Sequence, residues 1–491
     1  MTEAANVPGD EAPVTKKKIV LMYVTPPGQD DFFIAMPLGI IYLGAILREA
    51  GCDVECCDER VCTAAEVDAY IAKAEILGLS ALTPHVNRAI RYAEKAKQLN
   101  PEVVTIMGGP HATVDVDTFL DSKAFDYVIG GEAEDSIVDF ARGVELGQDA
   151  LVNVPGIAFD KPDGTRHSNA QPPLIKDLDR IPFPAWEMLP FDRYSAMNKE
   201  KLFYIFTSRG CPFRCVFCQK ELTGRGFRTR SVENILDELQ EISDTYQPGN
   251  VLFIDELFTC QKQRVYDLCE GIMERGLKLN MSCETRVDMI DYDMARTMKK
   301  AGFNRMYFGV ESVSQRSLDT LIKDYKAEKV IECLKMIRRA GIWSKVFLII
   351  GTPGETLEDI EETARGMRAS MPDRVRTSLF NPLTATASFE EYKDRIDPDL
   401  VRTEYVDSDR SPYIHENFTN DELNRIKRTL VEDYESWYES FPARAKRYLY
   451  RIRYYIENWD DEGKARVARL FRIGKAQSPV NAGSSGDFPE I

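Results

Sequence analysis

Long apolar runs, a surplus of basic charge and histidine are all scarce in this sequence of 491 residues, and each scarcity excludes something. The longest apolar stretch, Pro37 to Leu47, is too short for a helix that crosses a bilayer. The opening residues, MTEAANVPGDEAPV, carry neither the basic nor the apolar part of an export signal, which leads us to expect a cytoplasmic protein. Acidic side chains outnumber basic ones by 79 to 63, a formal charge of −16. Phosphate contact rests mainly on Lys and Arg, so no nucleic-acid partner is expected. The eleven cysteines are too sparse for a disulfide scaffold. In a reducing compartment they need burial, catalysis or metal binding as a role.

The chain is long enough for two or three domains, and its 44% hydrophobic and 29% charged residues are those of a folded globular protein. After an arm over residues 1–16, expected to be disordered, residues 17–150 alternate short apolar strands (KKIVLMYV, DVECCD, EILGLS, VVTIMGG, YVIGG) with helical patterns. That alternation predicts an α/β fold with a doubly wound parallel sheet, which binds ligands at the carboxyl ends of its strands. The loops in question are Thr25–Gln29, Ser80–His85, Gly108–His111 and Gly130–Glu132. Residues 151–200 read as a hairpin (IAFD, TRHS) and a proline-rich connector, IPFPAWEMLP, packed against both neighbours. A second series of six strands over 201–383 predicts a partial (β/α)6 barrel, with its chemistry at the C-terminal strand ends. Residues 384–475 read as a mainly helical region, and 476–491 as a disordered tail.

Directly after the first barrel strand comes RGCPFRCVFCQK, with Cys211, Cys215 and Cys218 on one loop. Three thiolates so close together suit an iron–sulfur cluster or zinc. A zinc site would need a fourth ligand, and Cys260 and Cys283 have no partner spacing. A cubane cluster held by three cysteines keeps one iron open to a cofactor or substrate.

The C-x-x-x-C-x-aromatic-C string resembles the signature of the radical S-adenosylmethionine superfamily. Further pieces follow in order at predicted strand ends: FIDELF at 253–258, SCETRVD at 282–288, FGVES at 308–312 and IIGTPGET at 349–356. The resemblance implies that Cys211, Cys215 and Cys218 ligate a 4Fe-4S cluster whose fourth iron is chelated by S-adenosylmethionine. One electron then cleaves that molecule to methionine and a 5′-deoxyadenosyl radical, which abstracts hydrogen from the substrate. It places Phe217 on the adenine or shielding the cluster, and Glu256 in the same site, with Asp255 beside it as a rival. Arg286 and Glu311 are expected to meet the cofactor's carboxylate and ribose, or else to form ion pairs across the barrel mouth. Gly351, like Gly354, permits a tight turn near the ligand.

The first domain's PLGIIYLGAILREAG, LSALTPH, GGPHAT and YVIGGEAE resemble the cobalamin-binding domain that precedes the radical core in one large subgroup. The implied cobalamin contacts are Thr25, Ser80, Thr83, Gly108, Gly109, His111, Gly130 and Glu132. The sequence lacks the D-x-H-x-x-G motif that supplies a cobalt-ligating histidine in many such domains, so that loop gives cobalt no histidine. A domain that no longer binds cobalamin and serves as a docking platform is the alternative.

Cys52, Cys56, Cys57 and Cys62, near the second strand, and the helical Cys269 and Cys333 read as small core residues. Residues 443–475 hold ten basic side chains against four acidic ones, with Tyr448, Leu449, Ile452, Tyr455, Ile456 and Trp459 at helical spacing. The stripe is expected to pack on the barrel, or else to meet an anionic membrane surface.

Together these features imply an anaerobic enzyme that uses a 4Fe-4S cluster, S-adenosylmethionine and cobalamin, with methyl transfer to an unactivated carbon as the leading outcome. A cyclase, hydroxylase or rearrangement of the anaerobic porphyrin-cyclase type is the alternative. A non-catalytic cobalamin or redox sensor is the reading from another class. An external one-electron donor such as flavodoxin or ferredoxin is implied. The substrate, whether a small molecule, lipid, tetrapyrrole or peptide, has no motif that names it.

Overall fold

The computed structural model describes residues 13–25, 36–198, 200–220, 222–397, 400–401 and 410–457, with side chains through Tyr450. Most of the N-terminal arm, the loop after Thr25, Trp459 and the tail at 476–491 lie outside the described residues.

The first sheet contains β1 (Ile19–Val24), β2 (Val54–Asp58), β3 (Ile76–Ala81), β4 (Val104–Gly108), β5 (Tyr127–Ile129), β6 (Ile157–Asp160) and β7 (Arg166–Ser168). Its order is β2-β1-β3-β4-β5-β6-β7, parallel through β5 and antiparallel beyond. The hairpin read as part of a connector therefore extends this sheet. Strands β1 and β3 are buried at every position but one, because helices cover both faces, which is why they read as unbroken apolar runs. The order reverses between β1 and β3, so the ligand crevice of this doubly wound sheet opens at Thr25 and at Ser80–Thr83. Its helices start on recognisable signals, as in Thr63, whose side chain and that of Glu66 form a reciprocal capping box ahead of Ala64–Lys73.

The second sheet is β8 (Leu202–Ile205), β11 (Asn250–Phe253), β12 (Met281–Thr285), β13 (Phe303–Glu311), β14 (Trp343–Ile350) and β15 (Arg374–Leu379). All six are parallel and ordered by sequence, with β8 and β15 at the two edges, the arrangement of a partial barrel. A two-residue pair, β9 (Ser208–Arg209) and β10 (Arg228–Thr229), brackets the cysteine loop. Here the strands alternate. Val346, Leu348 and Ile350 of β14 are buried beneath the helices, whereas Lys345, Phe347 and Ile349 face the half-open lumen.

The connector does pack against both neighbours. Trp186 is 2% exposed and meets Phe203 of β8 edge-on at 5.0 Å, while Ala185 N donates to Ile41 O at 3.2 Å. A Cβ on Gly44 would stand 2.7 Å from Met188 Sδ, so the connector sits close against that helix. One apolar core consequently runs through both sheets.

The C-terminal helices Asn420–Glu439 and Phe441–Glu457 follow. The apolar stripe does not pack on the barrel where its side chains are described. Ala443 faces inward, whereas Phe441 is 82% and Leu449 65% exposed, because the inward face is taken by Arg447 lying over the Tyr438 ring. Among the described residues no helix is long and apolar enough to cross a membrane.

Because Trp186 joins the two sheets, Trp186→Ala should cost about 3–5 kcal/mol. Thermal unfolding followed by circular dichroism should show a midpoint several degrees lower; an unchanged midpoint contradicts the shared core.

Candidate active site

The cysteine loop is built from its ends inward. Gly210 has φ +84, and a Cβ there would stand 2.3 Å from Gly226 O, so the chain turns sharply at a position only glycine fits. Its N–H donates to Glu256 Oε2 at 3.1 Å, and Cys211 N donates to Gly224 O at 3.3 Å. Inside the loop, the buried Lys220 ammonium donates to the carbonyls of Cys211 (3.2 Å) and Phe213. These bonds hold Cys211, Cys215 and Cys218 around one cleft of about 280 Å³ at the C-terminal ends of the barrel strands.

Glu256, Arg286, Glu311 and Phe217 line the same cleft, as do Lys220, Glu284, Tyr307, Lys323 and Phe347. Gly351 does not: its Cα faces Leu423 of the C-terminal region, 2.8 Å from an added Cβ, and its N–H donates to Glu355. The adjacent carboxylates divide cleanly. Asp255 is fully buried and accepts from the backbone of Thr207 (2.6 Å) and Ser208 (2.7 Å), which leaves Glu256 as the one facing the cleft.

Arg286 is held by two 3.0 Å bonds to Asp288 and by the Lys323 carbonyl, and it stacks 3.6 Å above the Phe213 ring. Its remaining nitrogen, Nη1, lies 3.6 Å from Cys215 Sγ. Glu311 ends β13 at φ +67, a left-handed conformation unusual for a non-glycine residue, just where the register to β14 shifts. Lys323 Nζ bridges Gly309 O (2.9 Å) and Glu311 Oε1 (3.2 Å). Sequence reasoning missed Lys323, which sits in an undistinguished turn; Glu284 was present in the quoted SCETRVD string but was not singled out.

The donor set fits an iron–sulfur cluster. Three thiols face one cleft, and neither Cys260 nor Cys283 lines it, Cys283 being buried on the opposite face of β12. Among the described residues no three such side chains converge as a single metal ion would require.

At the first sheet, the ligand-side residues separate into two groups. Ser80, Thr83, Gly108 and Gly109 remain partly open, with Leu82 beside them 41% exposed. Gly109 has φ +87, and a Cβ there would stand 2.4 Å from Ser80 Oγ, so the backbone lies bare against that hydroxyl and can be approached closely. This turn, at the carboxyl end of β4 and next to the switch-point strand β3, fits a large cofactor's tail. The others are committed elsewhere. His111 is 1% exposed, enclosed by Thr83 Oγ1 at 3.1 Å from Nδ1 and by the edge of Phe119. Thr25 is buried with its hydroxyl on Val24 O, and Gly130 N donates to Gly156 O at 3.0 Å. Glu132 is taken up by Arg228, with two bonds of 2.8 Å, by Arg209 at 3.2 Å and by Ile175 N at 2.7 Å. Although burial opposes it, these partners hold the Glu132 carboxyl below its ordinary pKa.

A thiol-lined cleft at the mouth of a partial barrel, bolted to a doubly wound domain with an open switch-point crevice, defines a two-domain α/β enzyme that works through bound cofactors. Residues 205–366 match the radical SAM superfamily and residues 32–141 match the B12 binding domain. An uncharacterized methyltransferase of Pyrococcus horikoshii is 31% identical over 360 residues, covering 72% of this chain and 78% of that one. The anaerobic magnesium-protoporphyrin IX monomethyl ester cyclase of Rubrivivax gelatinosus is 30% identical over 332 residues, covering 66% of this chain and 60% of the cyclase. The solved cobalamin-dependent S-adenosylmethionine radical enzyme OxsB shares the fold, with a TM-score of 0.68 at 17% identity over 94% of this chain and 75% of that one. The chain belongs to the cobalamin-binding radical S-adenosylmethionine enzymes, whose cofactors are a 4Fe-4S cluster, S-adenosylmethionine and cobalamin.

Replacing Cys211, Cys215 or Cys218 by Ala should abolish the broad iron–sulfur absorbance after anaerobic reconstitution, while Cys260→Ala keeps it. Retained absorbance in a loop variant, or its loss in Cys260→Ala, contradicts this ligand set.

Proposed function

We propose that the protein transfers a methyl group to an unactivated carbon of a small organic substrate. The observation that carries this reading is the Glu132 junction, which brings the ligand end of the first sheet against both ends of the cysteine loop. When bound, the cluster, S-adenosylmethionine and cobalamin supply respectively an electron, a hydrogen-abstracting radical and a methyl group.

The chain's own part is positioning. Cys211, Cys215 and Cys218 hold iron; Glu256, Arg286 and Glu311 present charge-complementary groups to an amino acid and a ribose; Phe217 offers an aromatic face. Ser80, Thr83, Gly108 and Gly109 are the first-sheet residues left to receive a cofactor tail. A shared core across both sheets keeps the two sites in fixed register, so that a reactive species meets one bond only. An external one-electron donor completes the reaction.

Product analysis under anaerobic turnover with a low-potential reductant tests this. Methyl transfer yields S-adenosylhomocysteine and 5′-deoxyadenosine in comparable amounts. 5′-Deoxyadenosine without matching S-adenosylhomocysteine favours ring formation, and neither product on turnover favours a sensor.

The outward-facing side chains within residues 441–450 support contact with an anionic membrane. Phe441, Tyr448 and Leu449 are exposed beside Arg444 and Lys446, in a segment whose surplus of cations opposes the acidity of the whole chain. In flotation assays the protein should rise with phosphatidylglycerol-containing vesicles and not with pure phosphatidylcholine, and Phe441→Ser with Leu449→Ser should remove binding. Equal behaviour of the variant, or no flotation of the parent, refutes membrane contact.

A further inference from the structure

Four cysteines crowd the second strand, and the fold sorts them into two kinds. Cys52 and Cys56 are buried in the core that runs through both sheets, where burial pushes the Cys56 thiol up to about 12. Cys57 points to the opposite face of β2 and is fully buried there. The chain then turns over residues 59–61 and brings the half-buried Cys62 back beside it, so that Cys57 Sγ donates to Cys62 Sγ at 4.0 Å. Cys62 also stands at the head of a helix, directly before Thr63, the N-cap of Ala64–Lys73.

Those positions give the two thiols different chemistry. The hydrogen bond from Cys57 draws the Cys62 thiol down, against burial and the Glu66 and Asp58 carboxylates, and the Arg193 guanidinium adds to the pull. Arg193 is held there by Val61 O (2.9 Å) and by Glu66 (2.8 Å). The positive end of the helix favours a thiolate in the same way. The shared hydrogen bond and burial push the Cys57 thiol up, so it stays protonated. A reachable thiol poised to ionise beside a second, resolving thiol is the arrangement of an oxidation-sensing pair. Core packing explains Cys52 and Cys56; the facing sulfurs of Cys57 and Cys62 add a chemistry that packing does not need. The turn between them is also a junction, because Asp58 accepts from Tyr194 Oη at 2.6 Å and Val61 O from Arg193, both on the helix Phe191–Asn198 that leads to the barrel. A disulfide is about 2.05 Å long, so closing the pair draws the sulfurs roughly 2 Å together and pulls on that turn.

We propose that Cys62 and Cys57 form a reversible disulfide when the protein meets hydrogen peroxide. The Cys62 thiolate attacks the peroxide and the O–O bond breaks. Sulfur keeps one oxygen as sulfenic acid, and the other leaves as hydroxide, which takes up the proton that Cys62 gave up. The Cys57 sulfur then attacks the Cys62 sulfur, its proton goes to the departing hydroxyl, and a second water is released. Two thiols are oxidised as one peroxide is reduced by two electrons, and a dithiol reverses the step by exchange. The pair lies in the first domain and takes no part in the cofactor chemistry, so it stands or falls apart from methyl transfer.

The test treats the full, cluster-reconstituted chain with hydrogen peroxide under anaerobic conditions, blocks free thiols with N-ethylmaleimide and maps the unreduced tryptic peptides by mass spectrometry. Cleavage after Arg60 separates the two cysteines, so the disulfide should appear as peptide Glu49–Arg60 joined to Val61–Lys73, lighter than their sum by two hydrogen atoms. Fragmentation should place the link at Cys57 and not at Cys52 or Cys56, and dithiothreitol should restore both thiols. In Cys57→Ala, Cys62 has no resolving partner and should go on to sulfinic acid; in Cys62→Ser no link should form. Without peroxide, Cys62 should react with N-ethylmaleimide about tenfold faster or more than Cys269 and Cys333, whose thiols burial pushes up to about 12. Peptides left unlinked by peroxide, a link that runs to Cys52 or Cys56 or survives in Cys57→Ala, or equal alkylation of the three thiols overturns the proposal.

Discussion

A buried carboxylate, Glu132, ties the glycine turn of the first sheet to both ends of the cysteine loop. It closes the glycine turn after β5 and receives Arg228 from beyond the cysteine loop and Arg209 from just before it. Taking such charges out of water costs several kcal/mol per ion, a cost offset here by close pairing and several hydrogen bonds, although Arg228 Nε is buried without a partner among the described residues. The second oxygen also takes Ile175 N, and Arg228 donates further to the carbonyls of Ile175 (2.5 Å) and Thr223 (2.7 Å). Arg209 has Glu134 as an additional partner at 2.6 Å. The junction is specific in a way that apolar packing is not, because shifting either domain would strand a buried charge. It fixes both ends of the cysteine loop relative to the first sheet, and with them the distance over which chemistry must pass.

Much of the architecture was legible because it depends on local pattern. Strands covered on two faces, such as Ile19–Val24, read as unbroken apolar runs, and Trp343–Ile350 was legible as a strand although its sequence does not show the alternation between helices and lumen that its burial does. The cysteine loop and the motifs at strand ends were legible for the same reason, since spacing along the chain fixed their placement. What escaped the sequence depends on partners distant along the chain. Glu132 lies 96 residues from Arg228, and nothing near it signals that it is a bolt and not a cofactor ligand. His111 looked like a ligand-side histidine, yet the Phe119 edge and Thr83 enclose it. The hairpin at 157–168 gave its turn but not the strand it would join.

Neighbouring residues also took opposite fates for a simple geometric reason. Asp255 and Glu256 come just past β11, after Ile254, and successive side chains near a strand end leave in opposite directions. Asp255 goes inward, where burial raises its pKa and backbone N–H groups of Thr207 and Ser208 hold it; Glu256 goes to the cleft and anchors Gly210. One carboxylate orders the strand end and the other orders the loop that carries the thiols.

The charge of −16 takes on a different meaning once burial is considered. Arg209, Arg228, Arg230, Arg264, Arg286 and Lys323 are buried or nearly so, each beside a carboxylate, and Arg286 and Lys323 line the thiol cleft. The thiol cleft itself sets Lys220, Arg286 and Lys323 against Glu256, Glu284 and Glu311, so the acidic excess of the whole chain is not carried into it. In a confined space of low dielectric such cations act on a bound anion far more strongly than surface charges separated by water. The net charge of the chain therefore says little about what its active site prefers.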